Sequence, residues 1–363
     1  MKVTATLVQP GQFSTLASSD QLARTERLIP GWVVRGAFAA AWLSQHASRE
    51  PSGRFTFARP SERDEFAAAF EGDVHFGPLF AGEPPLPLSV AGHKYEAGDP
   101  RHRIDLAHET TPHLPETCPQ SGCGQRMEGK RGLLATTNDK PPVRTRTSVA
   151  IGPDSTAVKG LLFSRESVEL RTALSGYVRG PDVWIDRLAE LPSLRLGGRR
   201  TTQGHASIVI DKVAHSSVEP EFTADGHLVL RLISPAILVD GHGRSVAQPT
   251  DASMSEVLET DVSVTRAWTR WERIGGWHMA SGLPKHTELA ICSGSTFLVR
   301  ASEGHRIPIA AATALLTRGL GLRRHEGFGH LRLTPFRLPM MPGEDHDLAG
   351  ASLSSGSRVE ASA

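Results

Sequence analysis

A glycine- and arginine-rich motif occurs twice in this 363-residue chain, about 125 residues apart. The first copy runs from Leu196 to His205 and the second from Leu320 to His330. Both read Leu-Gly-x-Arg-Arg, then three or four residues, then Gly-His. A repeat at this distance indicates that one structural unit is present twice, and this constrains the fold more than any other feature of the sequence.

The segments around the two copies also correspond. Each half is predicted to open with a strand, and each copy is preceded by a strand and a Pro-initiated helix and followed by a strand. The predicted elements are strands Lys2–Val8, Ser175–Arg179 and Ala206–Asp211 with helix Val183–Leu191, and strands Leu228–Val239, Thr296–Arg300 and Leu331–Phe336 with helix Ala310–Arg318. A further helix is expected from Trp32 to Leu43 in the first half. The order predicts an α+β fold of two ferredoxin-like (RRM-like) βαββαβ domains.

The length is that of two domains, and composition places their limits. We expect an N-terminal domain over 1–215 with an irregular insertion at about 77–142, where Pro, Gly, His and charged residues are frequent. A C-terminal domain is expected over 216–342. The Ser-, Gly- and Ala-rich segment 343–363 is predicted to be a disordered tail.

The charge balance excludes a protein that is basic all over. Forty Lys and Arg stand against 39 Asp and Glu, for a net charge of +1. Only seven of the forty are Lys, so 33 are Arg. Arg suits phosphate recognition, although a GC-rich genome also produces an Arg excess.

Cysteine content and hydropathy indicate the compartment. Three cysteines do not form a disulfide framework, and no apolar stretch reaches the roughly 20 residues that span a bilayer. No secretory signal is recognisable at the N-terminus. We therefore expect a cytoplasmic protein without a membrane partner.

The repeated loops have the composition of a nucleic-acid contact. Glycine allows close backbone approach, and adjacent Arg side chains bind phosphates. The second loop region combines Arg318, Arg323, Arg324 and Arg332 with a single Glu326, and Phe328 is available in sequence to stack on a base. The loop follows a helix and precedes a strand, which is not the order of a P-loop. The alternative is a glycine-rich connection whose arginines are solvated.

Four regions of the chain resemble the RAMP superfamily of CRISPR-associated proteins. The segment Gly319–Leu331 is similar to its C-terminal glycine-rich loop, and Ile29–Ala41 is similar to the helix start that reads Pro-Gly-x3-Arg-Gly. Weaker similarity extends over Arg144–Ile151 with Gly160–Phe163, and over Ser281–Lys285 with Ala290–Ser295. Within the superfamily, the chain resembles the Cas5-like subunit of type III-D effector complexes.

This resemblance implies a CRISPR RNA-binding structural subunit of a type III antiviral effector complex. Such a subunit would hold the 5′ repeat-derived handle of the crRNA, beside a RAMP backbone subunit and a large polymerase/cyclase-like subunit. The RNA-binding positions that it implies are Arg35, Gly197, Arg199, Arg200, Gly204, Gly319, Gly321, Arg323, Arg324, Gly327, Phe328 and Gly329.

Two alternatives remain open at this point. The first is a metal-independent endoribonuclease of the same superfamily, with His325 as the candidate general base. The chain has 16 histidines, and no Ser/His/Asp set or close carboxylate pair stands out in the sequence. The second is a protein scaffold without direct RNA contact. We favour the non-catalytic RNA-binding subunit.

The predicted insertion carries metal-ligating residue types. His108, His113, Cys118 and Cys123 follow one another at intervals of five residues. His and Cys are zinc ligands, and a zinc ion would hold together a segment with little core of its own. One structural zinc ion is therefore the candidate cofactor, and we expect no other. Reduced cysteines and solvated histidines are the alternative.

Overall fold

A computed structural model describes residues 1–13, 22–95, 102–110, 113–129, 141–191, 193–198, 202–212, 218–278 and 283–338. The predicted tail 343–363 lies outside these ranges. In the described ranges, no helix combines the length and the apolar character that crossing a bilayer requires.

In the described ranges, strands and five α-helices follow one another in a mixed α+β order. The strands before residue 215 are β1 (Lys2–Leu7), β2 (Leu22–Ala23), β3 (Ala47–Arg49), β4 (Phe55–Phe57), β5 (His75–Phe76), β6 (Val90–His93), β7 (Ile104–Asp105), β8 (Met127–Gly129), β9 (Val143–Ile151), β10 (Ala157–Val168), β11 (Ala173–Arg179), β12 (Leu194–Arg195) and β13 (His205–Asp211). Those after it are β14 (Glu221–Phe222), β15 (Leu228–Arg231), β16 (Val262–Trp268), β17 (Trp271–Ile274), β18 (Trp277–His278), β19 (Leu283–Pro284), β20 (Glu288–Ile291) and β21 (Thr296–Ala301). The helices are α1 (Gly31–His46), α2 (Pro60–Glu71), α3 (Asp182–Ala189), α4 (Asp251–Leu258) and α5 (Ile309–Arg318), and a 3₁₀ turn covers Arg324–Glu326.

The first sheet is antiparallel, in the order β12-β13-β1-β11-β5. Strand β1 alternates as its sequence predicts, with Val3, Ala5 and Leu7 buried. In the chain, α1 and α2 lie between β1 and β5, and α3 lies between β11 and β12. Residues Val34, Phe38 and Trp42 recur every four positions on one face of α1 and enter this core.

The second sheet repeats the arrangement, in the order β14-β15-β21-β16. Helix α4 lies between β15 and β16 in the chain, and α5 follows β21. The side of β15 that carries β14 also receives a single antiparallel bridge between Leu232 and Leu331. The core of this half is separate from that of the first and includes Leu230, Phe297 and Leu315.

Two predicted strands are shorter in the structure. The strand expected over Leu228–Val239 ends at Arg231 and continues only as isolated bridges, and the one expected over Leu331–Phe336 is reduced to the bridge at Leu331. Each segment contains a proline, Pro235 or Pro335, which has no N–H to donate to a ladder.

The insertion between β5 and β11 is more regular than the sequence predicts. Strands β6, β7 and β8 form a small sheet in the order β7-β6-β8 within the stretch expected to be irregular. The long hairpin of β9 and β10 then follows before β11. Short strands of this kind lack the extended alternation that makes a strand recognisable in sequence.

Candidate nucleic-acid interface

The two halves meet where the second glycine loop packs on the start of α1. A Cβ atom built on Gly31 would lie 2.2 Å from the Phe76 carbonyl oxygen and 2.7 Å from the Gly327 Cα. The backbones are therefore in direct contact, and neither glycine has room for a side chain. This places the Pro-Gly motif and the second loop, 296 residues apart at Gly31 and Gly327, in one junction.

The sequence repeat is also a structural repeat. In the first copy the Leu196 N–H donates to the Gly204 carbonyl at 2.7 Å, and in the second the Leu320 N–H donates to the Gly329 carbonyl at 2.8 Å. Both of these glycines have positive φ, as do Gly197, Gly319, Gly321 and Gly327. The predicted RNA-binding glycines thus shape the loops, since backbone packing alone requires them.

Two of the predicted RNA-binding side chains are engaged within the chain. Phe328 is 3% exposed and stacks on Trp32, with ring centroids 4.8 Å apart and planes at 14°. Its ring is buried at the junction, so the structure corrects the expectation that it is available to a base. The guanidinium of Arg323 lies over the same ring and pairs with Glu326 at 2.7 Å and with Glu288.

The Glu326 carboxylate fixes this arrangement. It accepts hydrogen bonds from Arg323 and from the Lys285 ammonium, the latter at 2.9 Å. Burial opposes its ionisation, but these cations outweigh burial and hold the Glu326 pKa at about 2. The charge of Glu326, the single acidic residue of the loop, is therefore already neutralised by Arg323 and Lys285.

The remaining basic residues of the junction form what we call the junction cluster, which consists of Arg35, Arg318, Arg324 and His325. Burial and then the neighbouring Arg318 lower the pKa of Arg324. Burial and then Arg35 lower the pKa of His325. Both shifts have the direction that burial and a neighbouring positive charge produce, because each disfavours the protonated form.

Arg35 and Arg324 are placed differently in this cluster. The Arg35 Nε donates to the Phe70 carbonyl at 2.8 Å, which fixes its side chain against the C-terminal end of α2. Arg324 forms no ion pair with any of the described residues. Arg324 is thus the predicted contact residue that is best placed to receive an external anion.

Behind the loop lies a buried group that the sequence did not reveal. The Arg179 Nη2 is 3.2 Å from the His330 Nδ1, while the Arg179 Nε and Nη1 and the His330 Nε2 are buried without hydrogen-bond partners among the described residues. Burial lowers the pKa of Arg179 to about 10, and burial together with Arg179 lowers that of His75 to about 4. Arg179 ends an ordinary strand, so its position in sequence carries no signal of this role.

In the described residues of the first copy of the motif, the structure shows its backbone geometry. Its two arginines, Arg199 and Arg200, lie outside the described residues, so their predicted RNA contacts stay predictions. The histidine that follows, His205, begins strand β13, and its carbonyl accepts from the Val8 N–H at 2.8 Å.

The predicted metal ligands are only partly brought together. Cys118 and Cys123 lie in one group with His93 and His102, whose ligand atoms are all within 4.8 Å of one another, and this group could bind a metal ion. His108 instead lies 2.7 Å from the Glu221 carboxylate, and His113 is exposed. The small sheet explains the difference. His93 ends β6 and His102 lies just before β7, on the side of the cysteine loop, whereas His108 follows β7.

A second group of metal-ligating types, Asp105, His108 and Glu221, is occupied by a cation of the chain itself. The Arg231 guanidinium pairs with Asp105 at 2.8 Å and with Glu221 at 2.5 Å. This group therefore neutralises Arg231 rather than leaving carboxylates for a metal.

Comparison with known proteins agrees with the sequence motifs. The family model described as "CRISPR-associated protein (Cas_Cmr3)" matches residues 138–334, more than half of the chain. No curated protein matches the chain.

Several solved structures show low similarity to this chain. One is a subunit in a structure of the type III-B Cmr-beta complex bound to cognate target RNA and AMPPnP (12% identity, 82% of this chain and 86% of that chain, TM-score 0.46). Another is a RAMP protein described as binding different RNA substrates (12% identity, 92% and 100%, TM-score 0.33). A third is the product of a Cas6-related gene from Pyrococcus furiosus (10% identity, 93% and 99%, TM-score 0.36).

The motifs and the family match define a CRISPR-associated protein of the RAMP type. More narrowly, the chain belongs to the Cmr3 family of CRISPR-associated proteins.

Proposed function

We propose that this chain is a non-catalytic, crRNA-binding subunit of a type III effector complex. The junction cluster holds the phosphates of the 5′ repeat-derived handle, with Arg324 as its main contact. The III-D subtype remains a prediction from the sequence resemblance.

The observation that carries this proposal is a group of three arginines at the junction that form no ion pair with another described residue, although Glu71 and Glu326 lie near Arg35. Arg35, Arg318 and Arg324 lie around a loop whose one carboxylate is already neutralised by Arg323 and Lys285. Half-buried guanidinium groups without carboxylate partners bind phosphate oxygens through charge-assisted, bidentate hydrogen bonds. An RNA backbone supplies such oxygens in a row, which a single small anion does not.

The unpartnered atoms of Arg179 support the same assignment. They provide a further, deeper guanidinium behind the loop, close enough to lower the pKa of His75 together with Arg324. The proposed path for RNA therefore runs over the 3₁₀ turn at Arg324–Glu326, between α1 and the end of α5. In the first copy of the motif, Arg199 and Arg200 are proposed to contact the RNA further along.

We propose that the chain consists of two ferredoxin-like domains, 1–215 and 216–342. Strand order supports this, because β13-β1-β11-β5 is the order 4-1-3-2 of a βαββαβ unit. The second sheet has the same order, with the bridge at Leu331 in the place of the fourth strand.

The proposed protein partners are a RAMP backbone subunit and the large polymerase/cyclase-like subunit. The β9–β10 hairpin supports such contacts because it exposes apolar side chains: Ile151 is 62% exposed, and Leu161 and Leu162 are each about half exposed. Clustered exposed apolar residues of this kind mark protein interaction sites.

RNA binding by charge-reversal variants tests the proposal. We expect the folded chain to bind repeat-derived RNA with a strong salt dependence, and Arg324→Glu to weaken binding at least tenfold. Loss of one phosphate contact also reduces the slope of log K against log salt by about 0.7 for single-stranded RNA. Fluorescence anisotropy over a salt series measures both quantities.

Arg306→Glu is the matched control. Arg306 is exposed and lies just before the start of α5. Arg318, a member of the junction cluster, lies at the other end of this ten-residue helix, which is about 15 Å long. The Arg306→Glu variant changes the net charge by the same amount as Arg324→Glu and should change the affinity for RNA less than twofold. Equal losses for both variants would show that net charge, not the junction cluster, determines binding.

Incubation of the same protein with labelled repeat RNA, with and without EDTA, tests the nuclease alternative. We expect no product. Cleavage that disappears in His325→Ala would overturn the non-catalytic assignment.

A further inference from the structure

We propose that His93, His102, Cys118 and Cys123 bind one structural Zn²⁺ ion. This site is independent of the RNA interface and differs in both histidines from the set that sequence spacing suggests.

The four ligand atoms all lie within 4.8 Å of one another, and two His–Cys pairs are closer than this. The His102 Nδ1 is 3.3 Å from the Cys118 Sγ, and the His93 Nε2 is 3.2 Å from the Cys123 Sγ. With Zn–S near 2.3 Å and Zn–N near 2.0–2.1 Å, two ligands of a tetrahedral zinc lie about 3.3–3.8 Å apart. The side chains therefore need only small shifts to enclose an ion.

The ligand chemistry favours zinc over the hard divalent ions. Two thiolates and two imidazoles suit Zn²⁺ and exclude Mg²⁺ and Ca²⁺, which require oxygen ligands. Four protein ligands leave no open position for water or substrate, which is the arrangement of a structural site rather than a catalytic one.

Backbone hydrogen bonds hold the loop that carries the two cysteines. Cys118 and Cys123 flank a tight turn in which the Cys123 N–H donates to the Gln120 carbonyl at 3.1 Å and the Cys118 N–H donates to the Gln125 carbonyl at 2.8 Å. Gly122 and Gly124 have positive φ within and after this turn. A backbone hydrogen bond from Gln120 reaches the Cys118 sulfur, an outer contact typical of metal-bound thiolates.

The apolar cluster that contains the two cysteines is small. It consists of Ala91, Cys118 and Met127, with Ile104 and Cys123 packed beside it. The ligands come from β6, from the residues before β7 and from the loop before β8, so one ion would join all three parts of this small sheet. Zinc binding then supplies folding free energy that apolar burial does not.

Metal analysis of the full chain tests this site. Protein expressed with added zinc should contain about one zinc ion per chain by mass spectrometric metal analysis. Cys118→Ser and Cys123→Ser should each lose most of it, while the control variants Cys292→Ser and His113→Ala should retain it. Cys292 is a buried cysteine of the second half, and His113 is an exposed histidine of the insertion.

Two further measurements keep the test decisive if a serine variant fails to fold. Wild-type protein reloaded with Co²⁺ should show the visible d–d bands of a tetrahedral site and a thiolate-to-metal charge-transfer band. His93→Cys, which preserves a ligand, should still bind zinc. Folded wild-type protein without zinc after supplementation, or full zinc content in folded Cys118→Ser, would overturn the proposal.

Discussion

At the scale of single residues, Phe328 shows how sequence and structure assign different roles to one side chain. An aromatic residue in a Gly/Arg loop predicts base stacking, but here the ring packs on Trp32 beneath Arg323. We therefore expect Phe328→Ala to lower the free energy of unfolding by about 3–5 kcal/mol, the usual cost of removing a buried aromatic ring. Chemical denaturation followed by tryptophan fluorescence measures this change.

The conservative variant separates structure from RNA recognition. Phe328→Leu keeps an apolar side chain and removes the aromatic ring, so the folded protein should bind RNA within about twofold of wild type. A folded Phe328→Leu that loses tenfold or more in affinity would show that the ring does stack on a base.

At the scale of elements, the two glycines of the Pro-Gly-x3-Arg-Gly motif have opposite roles. Gly31 touches Phe76 and Gly327, whereas a Cβ on Gly36 would meet nothing within 4 Å. We expect Gly31→Ala to destabilise the protein by about 2–3 kcal/mol through overpacking at the junction. Gly36→Ala, its matched control on the same helix, should stabilise by about 0.5–1 kcal/mol. Thermal and urea unfolding report both values, and equal effects would contradict the close packing of α1 on the loop.

The elements that could be predicted from sequence are those whose pattern is local. Helices α1, α3 and α5 and strands β1, β11, β13 and β21 follow from Pro-initiated apolar runs and from alternation, and the structure confirms them within a few residues. The small sheet β7-β6-β8 could not be predicted, because His93 and Asp105 lie in very short strands that only tertiary contacts define. For the same reason the sequence pointed to neither histidine of the proposed zinc site, although it pointed to both cysteines.

At the scale of the whole molecule, a buried ion-pair network joins the insertion to the second sheet. Arg231 on β15 is 2% exposed and pairs with Glu221 on β14 and with Asp105 on β7, while its Nη1 donates to the Ser89 hydroxyl at 3.0 Å. Burial opposes ionisation of Glu221, but Arg231 and His108 outweigh it and lower the Glu221 pKa to about 2. Since the unfolded chain titrates this carboxyl near 4.5, its contribution to stability is complete above that pH and is lost as pH falls toward 2.

Arg231→Met tests this network through its pH dependence. The variant leaves two carboxylates buried without their cation, which costs about 3–5 kcal/mol at neutral pH. Because acid neutralises those carboxylates, the difference from wild type should shrink as pH falls from 7 to 4. Arg332→Met is the matched control: Arg332 lies over the same Phe336 ring, at 5.3 Å against 5.1 Å for Arg231, but its ion-pair partner Glu83 is exposed. The control should change stability by less than about 1 kcal/mol. A pH-independent loss in Arg231→Met would mean that the side chain acts by packing on Phe336 and not by holding the insertion and the second half together through charge.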